Sequence, residues 1–508
     1  MHECPPVITR PPAPTGRPAP GRVGPLPALA AVAAAFVLVQ LVLVVPGSGL
    51  AWDETVYVSQ VGGNAPPAYF SAPRARGISY LVAPVAMFTA STTALRIYLA
   101  LLSGTALFLS LWVWRRTLPT RVLVGAGLLF AGLWPTLFYG PAAMPNLWCA
   151  LGSLAAAGWV ARSLRGDTGR MPAAGSGTAV ALVALMRPAD GFWLALPLVL
   201  ATTVLPGRRR LRTSAALVAG LVAGCAPWIA EAYARYGGLP ARLHRAGEIQ
   251  GGLGWNFAVD DHLRALAGRT LCRPCDIGWE GPGTAVWWLL MPLLVAGGIA
   301  AARRAGRGTT AVLAAATGAS TAVPYLFLVE YAAPRFLLPA YALLAVPVAE
   351  YLADLVARTR VARRPAGLAA LTLAMAAHLT VQLSTLSHVV RTSRATTEEF
   401  AAVAGTLNGL GLRPPCVISG DDAVPIAYYA GCASRQTDGH DAGITPEELR
   451  ALAREVPTAV LSPGDAETAS AADGSRTMLL RLGRESRLLR LLPGPALEAT
   501  AASAAPAG

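Results

Sequence analysis

Eleven apolar runs punctuate this chain, most of them near the 20 residues that an α-helix needs to cross the hydrocarbon core of a bilayer. They fall at about 26–46, 94–114, 122–140, 145–161, 175–186, 191–206, 213–230, 284–302, 309–330, 336–356 and 365–386. Backbone groups in lipid must find their hydrogen bonds within the segment, so runs of this length predict helices. The fifth and sixth are short and flank Arg187-Pro188-Ala189-Asp190, which reads as one broken helix pair. The first is too long and too proline-flanked for a cleaved leader, and no small-residue cleavage site follows it, so it reads as a retained anchor. Only 14% of the 508 residues are charged and 54% are apolar, with a mean hydropathy of +0.48. Soluble domains carry about 25% charged residues, so a water-soluble globular enzyme is not expected. Disorder, which needs low hydrophobicity, is excluded.

The net charge of +14, carried entirely by arginine on the basic side, is compatible with nucleic acid, anionic lipid or the inner loops of a membrane protein. The positions of the arginines decide. They cluster before span 1 (Arg10, Arg17, Arg22), then after spans 2 (Arg115, Arg116, Arg121), 4 (Arg162, Arg165, Arg170) and 6 (Arg208–Arg210, Arg212). Two more clusters follow spans 8 (Arg303, Arg304, Arg307) and 10 (Arg358, Arg360, Arg363, Arg364). If each span crosses once, every cluster lies on one side, which the positive-inside rule makes cytoplasmic. A multi-pass protein of the plasma membrane is expected, with a cytoplasmic N-terminus, an extracytoplasmic C-terminus and no nucleic-acid partner.

This topology divides the chain into a cytoplasmic tail (1–25), a membrane domain (26–386) with long outer loops at 47–93 and 231–283, an extracytoplasmic domain (387–493) and a disordered Ala/Pro/Gly-rich end (494–508). No internal repeat is visible. In the outer tail, 397–409 reads as a helix, CVISG at 416–420 as a buried strand and AVPIAYYAG as a helix ending at Gly431. TPEELRALAREV reads as a capped helix and PTAVLS as another strand, giving a small α/β domain. The fold class is therefore a polytopic α-helical membrane protein of about eleven spans with a small C-terminal α/β domain. Cys272 and Cys275 form a C-x-x-C in the second outer loop, while Cys416 and Cys432 lie in the tail; in an oxidising compartment disulfides are favoured over a zinc site or free thiols. Cys149 and Cys225 fall inside spans and read as buried apolar residues.

Polar residues retained beside the bilayer are the candidates for chemistry. Asp53 and Glu54 follow span 1, and Tyr57 shares a helical face with Asp53. Arg74 and Arg76 stand in a Pro/Gly-flanked loop of the segment YFSAPRARGISYLVAPV, whose apolar part suits an interfacial helix. Arg187 and Arg335 sit at membrane depth, where an arginine costs roughly 2.5–3.5 kcal/mol to insert and is a functional candidate by default. Each also has a structural alternative: a pair of Arg187 with Asp190 or of Arg335 with Glu330, and an ordinary solvated turn or loop for Asp53, Glu54, Arg74 and Arg76.

The acid pair after span 1 with Tyr57, the element MRPADGFWLALP at 186–197, PWIAEAYARYGG at 227–238 and EYAAPRFLLPAYALLAVP at 330–347 together resemble the GT-C glycosyltransferases. The nearest branches are the protein O-mannosyltransferases and the lipid A aminoarabinose transferases, and the residue usage suits a GC-rich, actinobacterial genome. The resemblance implies a GT-C membrane enzyme that moves a hexosyl or pentosyl group from a polyprenyl-phosphate carrier to a lipid, glycan or protein acceptor outside the membrane. It assigns the general base to the first acid, Asp53, with inversion at the anomeric carbon. Glu54 would orient the acceptor or pair with an arginine. Fixed cations lower the barrier to phosphate departure, and arginine suits that role because it stays ionised and its fork matches phosphate oxygens. Arg335, Arg187, Arg74 and Arg76 are the candidates, with Tyr57 and Tyr331 contacting substrate.

No cofactor is expected; a divalent cation on the acid pair is the less favoured alternative. His244, His262, Asp260 and Asp261 read as a solvated loop before a metal or acceptor site. Tyr331, Tyr341 and Trp255 suit the interfacial aromatic belt or a sugar platform, His378 suits packing, and Asp421-Asp422 suits a ligand or a helix cap. Nucleotide-binding and H-E-x-x-H motifs are absent from the sequence. The competing reading is a transporter or flippase for a lipid-linked or polar solute, favoured only by the broken region at 175–206.

Overall fold

A computed structural model describes residues 25–167, 169–204, 208–252, 254–273, 275, 278–439, 441–463, 476–482 and 485–492. The expected cytoplasmic tail and C-terminal end lie outside these residues, apart from Pro25. The chain enters through α1 (Pro25–Val39), which continues as a π-helical turn Gln40–Val44. The expected outer loop 1 (47–93) folds into two short helices, α2 (Trp52–Ser59) and α3 (Gly77–Ala86). Then come α4 (Thr92–Val113), α5 (Thr120–Ala131), the single turn and a half of α6 (Trp134–Tyr139), α7 (Pro145–Leu164), α8 (Met171–Met186), α9 (Pro188–Val204) and α10 (Arg208–Arg235). Outer loop 2 carries α11 (Leu239–Ile249) and α12 (Val259–Ala265), and α13 (Val286–Arg304), α14 (Gly308–Phe327), α15 (Leu338–Val361) and α16 (Pro365–Gly409) complete the helical part.

Each of the eleven predicted spans contains a helix, and eight of these helices are long and apolar enough to cross a membrane. The other three, α5, α8 and α9, are shorter apolar helices. Arg187 separates α8 from α9, which are complete helices of 16 and 17 residues rather than halves of one broken span. The run 122–140 is divided: α5 ends at Ala131 with Gly132 as its cap, and α6 restarts with Pro135 in its first turn. Conversely, α16 is continuous where a span ending at 386 and a separate helix at 397–409 were expected. Between Leu368 and Ala404 there is neither Gly nor Pro, so nothing in the sequence stops the helix as it leaves the apolar region.

Helix α15 is the hub of the bundle, packed on α5, α7, α13 and α14. The α8–α10 contact depends on glycine: a Cβ at Gly220 would stand 2.1 Å from the Gly177 carbonyl oxygen, so only small residues allow this backbone approach. The arginine clusters at one end interlock with acids there, Arg116 and Arg162 with Asp167, Arg304 and Arg358 with Asp354, and Arg307 with Glu350.

Beyond α16 the chain forms β1 (Val417–Gly420), α17 (Ala423–Ala430), β2 (Ala433–Ser434), α18 (Pro446–Ala453), β3 (Thr458–Pro463), β4 (Arg476–Leu482) and β5 (Glu485–Leu491). The sheet order is β2-β1-β3-β5-β4, with β1 parallel to both neighbours and β5 antiparallel to both of its own. The final hairpin was not foreseen. Thr445 and Glu448 form a reciprocal cap on α18. Phe400 and Leu407 of α16 join Ile418, Ile426, Leu461 and Leu489 in the domain core. The domain sits directly on outer loop 1: Asn64 Nδ2 donates to the Tyr428 carbonyl at 2.7 Å, and the Leu50 amide donates to the Tyr429 hydroxyl at 2.6 Å.

Candidate active site

A turn closed by the Ser48 amide on the Val45 carbonyl follows α1, with Gly47 in a left-handed conformation, φ 68°. Helix α2 then begins at Trp52, so both acids fall in its first turn, where the helix dipole favours negative charge. The two face different surroundings. Glu54 is buried: Arg96 of α4 grips it through Nη1 at 2.5 Å and Nη2 at 2.7 Å, and the amides of Ala143 (2.7 Å) and Ala51 (3.0 Å) donate to the same carboxylate. Arg96 also donates to the carbonyls of Pro141 and Gly49. The pair therefore pins α2 to α4 and the 141–143 segment. Of the two readings given for Glu54, these contacts match the pairing with an arginine: its oxygens are occupied in holding α2.

Asp53, one residue earlier, opens to a cavity with 34% of its side chain exposed. Its Oδ1 accepts from Arg74 Nη2 at 2.8 Å and its Oδ2 from Arg335 Nη2 at 3.2 Å. Burial pushes the Asp53 carboxyl up, but Arg74 and then Arg335 outweigh it and hold the group below its ordinary range. Arg74 also donates to Ser71 Oγ at 2.8 Å and to Asp441 Oδ1 of the tail domain at 2.9 Å. Asp441 in turn accepts from Trp52 Nε1 at 3.2 Å. Arg335 donates through Nη1 to the Thr270 carbonyl at 2.8 Å, and its guanidinium lies beside the Tyr139 ring. Its carboxylate partner is thus Asp53, not Glu330. Tyr57, one turn along α2, is buried among these charges, and burial raises its hydroxyl to about 12.

Two cavities meet at this carboxylate. The first, about 630 Å³, is lined by Asp53, Tyr57, Arg74, Arg187, Arg335 and Tyr331 among others, and its outer wall belongs to the tail domain, including Asp421, Asp422 and Asp441. The second, about 510 Å³, runs between α2, the 267–271 loop and the polar stretch His388–Thr397 of α16. Trp52, Asp53, Met144, Leu271 and Arg335 line both, so the Asp53–Arg335 pair stands in the partition. The first cavity has Arg74, Arg187, Arg273 and Arg335 set against Asp53, Asp421, Asp422, Asp438 and Asp441, whereas the second has Arg269, the shared Arg335, and Arg96, which is engaged with Glu54. Arg187 keeps its local partner Asp190 at 3.6 Å and lies over Tyr325 and Phe336.

Arg76 is not brought in. It binds Glu231 at 2.6 Å and Gln60 at 3.1 Å, covers the Phe70 ring and bears on loop architecture rather than on the cavity. The histidines and acids of outer loop 2 do not converge: His244 pairs with Glu248, Asp260 with Arg264, and His262 is buried against the Tyr325 carbonyl. Burial lowers His262 to about 4, so it stays neutral. Among the described residues no three His, Cys, Asp or Glu side chains are grouped as a metal ion would need. Tyr341 and His378 line a separate apolar cavity in the bundle, and Trp255 is exposed beside Phe327. Disulfides join Cys272 to Cys275 and Cys416 to Cys432, while Cys149 and Cys225 are free.

Sequence reasoning missed Arg96, Tyr139, Arg273 and Asp441. Arg96 had a signal, an arginine within an apolar run, which the insertion cost alone marks as a candidate. Asp441 had none, because its partners are contributed by the first outer loop.

The architecture matches known membrane proteins along nearly its whole length. The crystal structure of ArnT from Cupriavidus metallidurans bound to undecaprenyl phosphate superposes with a TM-score of 0.64 at 14% identity, covering 91% of this chain and 97% of that one. The chain has the GT-C fold. A second GT-C structure agrees: the archaeal oligosaccharyltransferase AglB from Archaeoglobus fulgidus, in complex with an inhibitory peptide and a dolichol-phosphate, matches at a TM-score of 0.51 and 13% identity, over 86% of this chain and 69% of that one. No protein-family model and no curated protein sequence matches the chain. At such identities the GT-C likeness speaks for the fold alone.

Proposed function

We propose that this GT-C protein is an integral membrane glycosyltransferase that moves a sugar from a polyprenyl-phosphate carrier to an acceptor hydroxyl at the outer membrane face. The observation that carries the reading is Asp53, held between Arg74 and Arg335 in the wall shared by two cavities. The lipid phosphates in the ArnT and AglB structures supply the donor class. Arg187, Arg273 and Arg335 in the first cavity suit the donor's phosphate, with Tyr57 and Tyr331 beside the sugar. The acceptor enters from the second cavity, on the other side of Asp53.

In the reaction the acceptor oxygen attacks the anomeric carbon as the bond from that carbon to the phosphate oxygen breaks. The hydroxyl proton passes to Asp53, and polyprenyl phosphate leaves with its charge met by the arginines. A single in-line displacement inverts the anomeric centre. A carboxylate held below its usual range is a weak base, so it takes the proton late, when bond cleavage has already acidified the attacking hydroxyl. The two arginines fix the orientation of Asp53 and keep it ionised, which serves proximity more than basicity.

A transporter would place its charged site near the bilayer midplane, whereas Asp53 lies past the end of α1. With the basic end of the bundle cytoplasmic, the site and the tail domain are extracytoplasmic. The test is to incubate purified protein with a panel of polyprenyl-phosphate sugars and candidate lipid, glycan and peptide acceptors. Release of polyprenyl phosphate with formation of an inverted glycoside supports the reading; no sugar-dependent release from any donor defeats it.

A further inference from the structure

Residues 269–273 of outer loop 2 form part of the partition: Arg269, Thr270 and Leu271 face the second cavity, and Leu271 and Arg273 the first. This stretch is fastened to the segment leading into Arg335. The Cys272 amide donates to the Ala332 carbonyl at 2.9 Å and the Ala332 amide to the Cys272 carbonyl at 3.3 Å, an isolated antiparallel bridge. Two residues before Cys272, the Thr270 carbonyl receives Arg335 Nη1. One residue after it, Arg273 lies over the Tyr331 ring at 4.6 Å and donates to the Ile249 carbonyl at 3.0 Å. Cys272 itself is 2% exposed, packed with Ala265 and Ala332, and closed onto Cys275 with their Cα atoms 4.8 Å apart.

We propose that the Cys272–Cys275 disulfide is a positioning element for Arg335, and through it for Asp53. The proposal rests on the transfer reading above. Between α12 and the helical turn at Pro282–Ala285, the bridge to Ala332 is the only regular backbone pairing among the described residues of this loop. A covalent closure at Cys272 restricts the conformations open to so short a stretch. It keeps the Thr270 carbonyl where one arm of the Arg335 fork can rest while the other reaches Asp53. Without it the carbonyl and Ala332 can part, and a displacement of about 1 Å at a reacting group costs on the order of 100-fold in rate. Cys416–Cys432 provides the contrast: it closes the tail-domain core.

The test uses full-length protein in lipid nanodiscs, comparing wild type, Cys272→Ala/Cys275→Ala and Cys416→Ala/Cys432→Ala, with the first pair also placed in an Arg335→Ala background. The expected result is that Cys272→Ala/Cys275→Ala lowers kcat on the order of 100-fold with acceptor KM unchanged, and causes no further loss once Arg335 is gone. Wild-type kcat in that variant, or the same loss in both backgrounds, overturns the proposal. Backbone hydrogen exchange at 331–336 gives a reading independent of turnover: faster exchange in the Cys272→Ala/Cys275→Ala variant alone supports the positioning role, and unchanged exchange overturns it. If wild type transfers no sugar, the transfer reading fails while the exchange result still decides the positioning claim.

Discussion

Asp53 and Asp441, from opposite ends of the chain, share one guanidinium: Arg74 donates to the first at 2.8 Å and to the second at 2.9 Å. The tail domain therefore reaches the candidate base through a single arginine. Asp441→Ala leaves Arg74 without its outer anchor, while Asp53 keeps its contact with Arg335. The expected outcome is a fall in kcat of about 10- to 100-fold with the protein still folded, read from steady-state transfer beside a thermal melt. Wild-type turnover in this variant would remove the tail domain from the catalytic account.

The Glu54–Arg96 pair belongs to stability. Both side chains are nearly inaccessible, 4% and 7% exposed. Removing one member of a buried pair strands the other, at about 3–5 kcal/mol. Arg96→Leu is expected to lower the melting temperature markedly in detergent, and Glu54→Gln less, since the amide keeps one acceptor oxygen. A catalytic role for Glu54 would instead appear as lost turnover at unchanged stability.

Arg335 needs its fork. Arg335→Lys retains the charge but cannot span Asp53 and the Thr270 carbonyl together. It is expected to lower kcat by about 10²–10³-fold, the range for losing one oriented electrostatic donor, with donor KM affected less. A lysine variant with full kcat would mean that Arg335 supplies charge alone.

The pH behaviour of Asp53 follows from the direction of its shift. Its folded value lies below the ordinary 3.8, so its ion pairs stabilise the fold above that pH and lose their contribution as pH falls through the folded value. Asp53 is accordingly ionised throughout pH 5–8, and kcat/KM should show no acid limb from this group there. Titrating wild-type transfer from about pH 4.5 upward checks this. An acid limb near pH 6 would require a different base or a raised carboxyl.

The readable part of the site was whatever lay next to a membrane boundary. Asp53, Tyr57, Arg74, Arg187, Tyr331 and Arg335 stand out because polar residues are conspicuous against apolar runs, and all six line one cavity. Arg76 stands out on the same ground and turns elsewhere, since a charge pattern does not say which carboxylate a side chain will find. The span pattern was legible through hydrophobicity, but the break between α5 and α6 was masked by apolar residues on both sides of Gly132. The unbroken course of α16 was masked by its change from apolar to polar composition. The sharing of Arg74 by Asp53 and Asp441 was beyond reach, because a contact between loop 1 and the tail depends on the tertiary fold.

In the proposed reaction Asp53 takes the acceptor's proton. The most direct measurement of that step is single-turnover transfer from the donor that wild type uses, comparing wild type with Asp53→Asn, a variant of nearly the same shape that cannot act as a base. The predicted result is a rate lower by about 10²–10⁴-fold with the protein folded and donor still bound. Transfer at the wild-type rate in Asp53→Asn would contradict it.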